Sequence, residues 1–191
     1  SIMPNVYHEP DLEVTDLTHR LIREYYPPLT KLHPELDVRI RMVTNEDDHP
    51  LKKGGWPCLA LCHKVPLRWR AAGAPDVWIE VDAFRFNRLG ERRQRATIHH
   101  ELHHIDVVGL AESVDDPAVW ICKLDSLGRP LVKLRPHDWE IGGFTTISDL
   151  YGSDAIEVLL VESAIAQCEQ STFDFMKASA LPRTLAMTST A

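Results

Sequence analysis

The stretch ATIHHELHHIDVV, residues Ala96 to Val108, sets four histidines around one glutamate. Imidazole nitrogens bind transition metals, and a carboxylate beside a metal can take a proton from bound water. An α-helix turns about 100° per residue, so side chains four apart share a face. Two pairs therefore compete to hold one ion, His99 with His103 and His100 with His104. Only the second pair has glutamate directly after its first member. In His100-Glu101-Leu102-His103-His104 the pair can converge on the ion while Glu101 projects beside it, which is the HExxH pattern of metal-dependent hydrolases.

The same helical count assigns the faces. Ile98, Leu102 and Ile105 form one apolar stripe, expected to face the core. Arg92, Arg95, His99, His103 and Asp106 form a polar stripe, expected to face water. His100 and His104 share a third face with Ala96, Val107 and Val108, so the helix is expected to run through Val108. On this reading the pair His99 and His103 is solvated and is rejected as the ligand pair. The competing reading is a histidine-rich surface helix with a structural glutamate and no metal.

A catalytic zinc takes three protein ligands and leaves one position open. Val107 and Leu110 stand where a metzincin continuation needs glycine and histidine, so that arrangement is excluded. Asp149 in TTISDLYG, and Glu157 or Glu162 in the last apolar segment, are alternatives. His137 in RPHDWEIGGF is preferred as third ligand, because it is expected to open a helix just after a proline. Asp106, Asp138 and Glu140 are candidates to orient a ligand imidazole, since metal-bound histidines donate their other N–H to a carboxylate or carbonyl. His103, Tyr151, Arg129 and Arg135 are unranked candidates to stabilise an oxyanion.

The elements that must position these residues are legible as alternating helix and strand. PDLEVTDLTHRLIREYY carries Asp11 as a cap, then Val14, Leu17, Leu21, Ile22 and Tyr25 at helical spacing, and stops at Pro27 and Pro28. DVRIRMV, CLALCHKV and DVWIEVDAF read as strands, and TNEDDHPLKKGGWP between them as a turn or loop. AVWICKLDSLGRPLVKLR reads as two strands joined at Ser126 to Arg129. HDWEIGGFTTISDLYG and SDAIEVLLVESAIAQCEQ read as helices separated at Gly152, with Ser153 or Asp154 as the second cap. The pattern predicts a single α+β domain over residues 1–175 and a disordered tail over 176–191.

At 191 residues and 44% hydrophobic content the chain can bury a core. No run is long and apolar enough for a membrane span, and SIMPNVYHEP reads as no leader, so the cytoplasm is expected. Cys58, Cys62, Cys122 and Cys168 form no CxxC pair; Cys58 and Cys62 are expected on one strand face as small buried hydrophobes. A formal net charge of −7 argues against nucleic acid as the main partner, and the run Arg88, Arg92, Arg93 and Arg95 reads as a solvated helix face.

The order HRLIREYYPPL, RIRMV, DVWIEVDAFRFNRLGERRQRATIHHELHHIDV and RPHDWEIGGFTTISDLYG resembles the putative phage metallopeptidase domain family, found in phage and prophage genomes. The resemblance spans roughly residues 11 to 152. It implies a zincin-like fold, with a small mixed sheet packed on an amino-terminal helix and an HExxH helix, followed by carboxy-terminal helices. It also implies His100, His104 and His137 as ligands of one zinc per chain, Glu101 as the catalytic residue, and a protein or peptide substrate in the cytoplasm, that of a bacterial host for a phage-encoded chain. By analogy with zincins an extended peptide would pair with an edge strand, for which DVWIEVDAF is the candidate. The alternative function is a phage or prophage protein that binds a host protein and keeps a silent or structural metal site. A third class is a metallohydrolase tied to DNA transactions, which the acidic balance disfavours.

Overall fold

The computed structural model describes residues 5–44, 49–53, 56–138, 143–159 and 162. The first strand, β1 (Val6–His8), has no counterpart in the sequence reading; it is short, exposed, and made by pairing rather than by apolar content. The first helix, α1 (Leu12–Tyr25), begins where Asp11 accepts the Val14 N–H at 2.9 Å and ends before a 3₁₀ turn at Pro27–Lys31. Capping satisfies an N–H that helix geometry leaves without a partner. Val14, Leu17 and Leu21 form the buried stripe that their spacing predicts.

The strands β2 (Val38–Thr44), β5 (Ala60–Lys64) and β6 (Val77–Asp82) join β1 in a mixed sheet of order β1-β2-β6-β5. β6 runs parallel to β2 and antiparallel to β5. It is therefore central, and the expectation that DVWIEVDAF supplies a free edge is corrected. Its alternating Val77, Ile79 and Val81, all fully buried, form the row that this central strand turns to the core under α1 and α4. The edge nearest the histidine helix is β5.

The segment read as a loop before it is a hairpin, β3 (Leu51–Lys53) and β4 (Trp56–Cys58); residues 45–48 and 54–55 of that segment lie outside the described residues. Cys58 and Cys62 consequently fall on different strands, and only Cys62 is buried. Two short helices, α2 (Leu67–Ala71) and α3 (Ala83–Phe86), flank β6, and Asp82 caps α3 by accepting the Arg85 N–H at 3.0 Å.

The histidine helix, α4 (Glu91–His103), packs with α1 against the inner face of this sheet, where Ile98 and Leu102 join Ile40, Met42, Ile79 and Val81 in one core. It is shorter than predicted, ending at His103 with His104 as cap. The chain then enters β7 (Ile105–Val107), because the branched residues Ile105, Val107 and Val108 find a partner in β10 (Val132–Leu134). Between them lie β8 (Ala111–Glu112) and β9 (Trp120–Ile121), which pair with each other.

The turn expected at Ser126 to Arg129 is present, with Gly128 at a φ of 71° that suits glycine alone. It is tied down by a buried ion cluster in which Arg70 binds both Asp76 and Asp125. The next helix, α5 (Thr145–Tyr151), starts eight residues after His137 rather than at it. A further turn of helix at 156–159 follows a 3₁₀ turn at Gly152–Asp154. The predicted tail, 176–191, lies outside the described residues. No helix among the described residues is long and apolar enough to cross a membrane.

Candidate metal centre

The end of α4 presents His100 and His104 one turn apart, their ring centroids 5.2 Å from each other. β10 then delivers the chain back across β7, so that the segment after Leu134 brings His137 to 5.1 Å from the first ring and 4.6 Å from the second. His137 is held by this strand pairing and not, as expected, by opening a helix. One nitrogen from each of the three rings lies within 4.8 Å of the others, and the Nε2 atoms of His100 and His137 are 3.1 Å apart. Nitrogens bound at about 2.0–2.1 Å to a tetrahedral ion stand about 3.3 Å from each other, so the donor set fits a metal of that kind.

The far nitrogens are already committed, which decides where the near ones point. Glu157 Oε1 lies 2.7 Å from His100 Nδ1, and the same oxygen accepts the Phe144 N–H at 3.2 Å. The Arg135 carbonyl lies 2.8 Å from His104 Nδ1 and accepts its proton. Both imidazoles are thereby turned to offer Nε2 to a common point. The orienting groups are thus Glu157 and a backbone carbonyl. Asp106 is exposed on β7, Asp138 is occupied by the Arg135 guanidinium at 2.9 Å and the Thr145 N–H at 3.2 Å, and Glu140 lies outside the described residues. Glu157, an alternative ligand on the sequence reading, is instead the partner of His100. Glu162 and Asp149 are exposed.

Under the cluster lies Phe144, fully buried, with its ring centroid 4.9–5.1 Å from those of His100, His104 and His137. Burial around this apolar floor bears on two of the three imidazoles, His104 and His137. Burial, opposed only in part by the Arg135 carbonyl, brings His104 down to about 4, and burial with the neighbouring His100 also lowers His137. Neutral imidazole is the form that binds metal. Glu101, 4% exposed, is pushed up by burial, against the pull of His100, Lys53 and the Cys62 backbone. A carboxyl raised in this way is a better proton acceptor than a solvated one.

The rival pair has other duties. His99 is 1% exposed, not solvated: its Nδ1 meets the Tyr151 hydroxyl at 3.0 Å and its ring lies 4.2 Å from that of Tyr25. The helix is covered on this side as well, by α1 and by the second apolar cluster around Phe144, Ile147 and Tyr151. His103 is half-buried between the Tyr26 hydroxyl at 3.0 Å and Arg135 at 3.1 Å. These contacts also sort the oxyanion candidates. Tyr151 is engaged by His99, and Arg129 by Asp76 and the Ala74 carbonyl at 3.0 and 2.9 Å. His103 and Arg135 are engaged too, with Tyr26, with each other and with Asp138, but lie beside Phe144, at 4.7 and 5.6 Å from its ring.

Sequence reasoning missed two residues of this site, Phe144 as its floor and Glu157 as the partner of His100. Phe144 closes the RPHDWEIGGF segment that marked His137, so its position was visible though its role was not. No curated protein and no solved structure matches the chain. The model of one family, described as putative phage metallopeptidase, matches residues 6–164, and the chain belongs to that family.

Proposed function

We propose that this protein is a zinc-dependent peptidase that cleaves peptide bonds with water, His100, His104 and His137 holding the metal and Glu101 acting as general base. The observation that carries this reading is the convergence of three histidines over an apolar floor with a buried carboxyl one residue along the helix from the first of them. When bound, zinc would supply a Lewis acid that acidifies water and polarises a carbonyl.

The chain's own residues supply the rest. Glu101 takes a proton at its carboxylate and can return it to the leaving amine. Glu157 and the Arg135 carbonyl keep two imidazoles aimed. At either end of β5, the Leu59 carbonyl accepts the Asp82 N–H and the Val65 N–H donates to the Asp76 carbonyl, so alternation turns the backbone groups of Ala60, Cys62 and Lys64 away from β6. That outward row meets Glu101 at Cys62, and an extended peptide added there would lie beside the base. A purely structural or silent metal, the alternative for a host-binding protein, needs no carboxyl beside it.

The test is hydrolysis of an unfolded protein substrate by wild type, by chelator-treated protein with and without added zinc, and by Glu101→Gln. Activity lost on chelation, restored by zinc and absent in Glu101→Gln is expected. Equal activity of Glu101→Gln and wild type would overturn the reading.

A further inference from the structure

The hairpin of β3 and β4 leads straight into β5, with Leu59 alone between Cys58 and Ala60. Ala60 and Cys62 turn their side chains to the core beneath α4, and two-residue alternation carries Cys58 onto the same face. Leu51 is the cross-strand partner of Cys58, and its N–H donates to Asp82 Oδ2 at 3.3 Å, which seats β3 against the end of β6. Cross-strand partners point to one side of a sheet, and so do residues two apart along a strand. Leu51 and Lys53 therefore face the side that carries α4, Leu51 buried and Lys53 exposed, while Lys52 between them faces the other way.

Electrostatics gives the same placement. Burial is the first influence on the protonation of Glu101, His104, His137, Cys58 and Cys62, and the positive charge of Lys53 acts on all five, favouring the deprotonated form of each. Charge interactions fade over about 10 Å, so one ammonium felt by Glu101 and by two of the three histidines stands beside the metal centre. It has no carboxylate partner among the described residues. The Arg135 guanidinium, by contrast, is held by Asp138 at 2.9 Å and lies 3.1 Å from His103 Nε2.

An ammonium carries three donors on a flexible stem and binds a carboxylate as a point charge. A lysine solvated elsewhere on the surface would need no ligand, but this one faces the groove along β5, where the peptide of the proposed reaction would lie. Each residue of an extended peptide advances about 3.3 Å, so an ammonium within about 10 Å of Glu101 meets side chains no more than about three residues from the cleaved bond. Resting on the peptidase reading for the path of the peptide, we propose that Lys53 is a specificity residue that selects substrates with a carboxylate on this stretch, from an acidic side chain or from the peptide's own end.

The experiment measures binding, apart from hydrolysis. Fluorescence anisotropy is followed on the full chain carrying Glu101→Gln and supplied with zinc, titrated into labelled nonapeptides. In one set, amidated at the carboxyl end, a single glutamate steps along a neutral sequence; the controls are the neutral peptide itself and the same peptide with a free carboxyl end. At least one acidic peptide is expected to bind about threefold or more tighter than the neutral one, and which of them gains identifies the source of the carboxylate. Adding Lys53→Met should erase the preference, and adding Lys52→Met should keep it. Both lysines are exposed, so both variants should unfold at the wild-type temperature, which a thermal melt checks. No binding, equal affinity for all the peptides, a preference that survives Lys53→Met, or one that Lys52→Met also removes would each overturn the assignment. The peptidase reading fails on a different result, equal hydrolysis by Glu101→Gln and wild type, so the two failures are distinct.

Discussion

Two histidine pairs with identical spacing occupy one helix, and the structure gives them opposite fates. His100 and His104 have their Nδ1 atoms engaged by Glu157 and by the Arg135 carbonyl, and both face His137. His99 and His103 are absorbed by the tyrosines of the surrounding packing, Tyr25, Tyr26 and Tyr151, with Arg135 at one end. Spacing on a helix brings two side chains to one face, but the groups behind each ring decide whether a nitrogen is left for a metal. The pair next to the glutamate is held with Nε2 toward the proposed metal position, while His99 is packed in the core and His103 bridges Tyr26 and Arg135 half-buried.

Breaking the chemistry of the first pair should have the largest effect. Glu101→Gln should lower peptidase activity by at least about 100-fold with metal content unchanged, measured by hydrolysis and elemental analysis together. Glu157→Gln should weaken zinc binding by roughly 10- to 100-fold, read by competition with a chromophoric chelator, because the His100 ring loses its carboxylate anchor. His99→Ala should instead destabilise the fold by about 2 kcal/mol in denaturant unfolding while the folded fraction keeps its metal.

Acid should separate the pairs again. Burial first, then the nearby charges of His103 and Arg95, lower His99 to about 4. A histidine whose folded value lies below its unfolded one stabilises the fold above about 6.5, and that contribution is lost as pH falls towards 4. In metal-free protein the difference in stability between wild type and His99→Ala should therefore shrink across this window, followed by urea melts at successive pH values. The smallest effect belongs to Tyr151→Phe, which removes one hydroxyl from His99 and should cost about 1 kcal/mol in the same assay.

The parts legible in the sequence are those set by local rules. Asp11, the stripe of Val14, Leu17 and Leu21, and the prolines after Tyr26 define α1 without reference to anything distant. The HExxH spacing likewise marks His100, Glu101 and His104 because one helical turn suffices to gather them. What failed is tertiary. A helical wheel with one apolar stripe assumes one covered side and so puts His99 in water, whereas α4 is covered on several. The centrality of β6 was hidden by Trp78 and Glu80, whose outward side chains mimic a half-solvated edge. Glu157 lies 57 residues from the histidine it orients, at a separation for which periodicity carries no signal.

The central claim is that the glutamate-flanked pair and His137 form the metal site and that its neighbours on the same helix do not. Zinc content measured on untagged wild type, His100→Ala, His104→Ala, His137→Ala and His103→Ala tests it directly. About one zinc per chain in wild type and His103→Ala, with little in the other three, is the predicted result. Zinc retained without His137, or lost with His103, would contradict it.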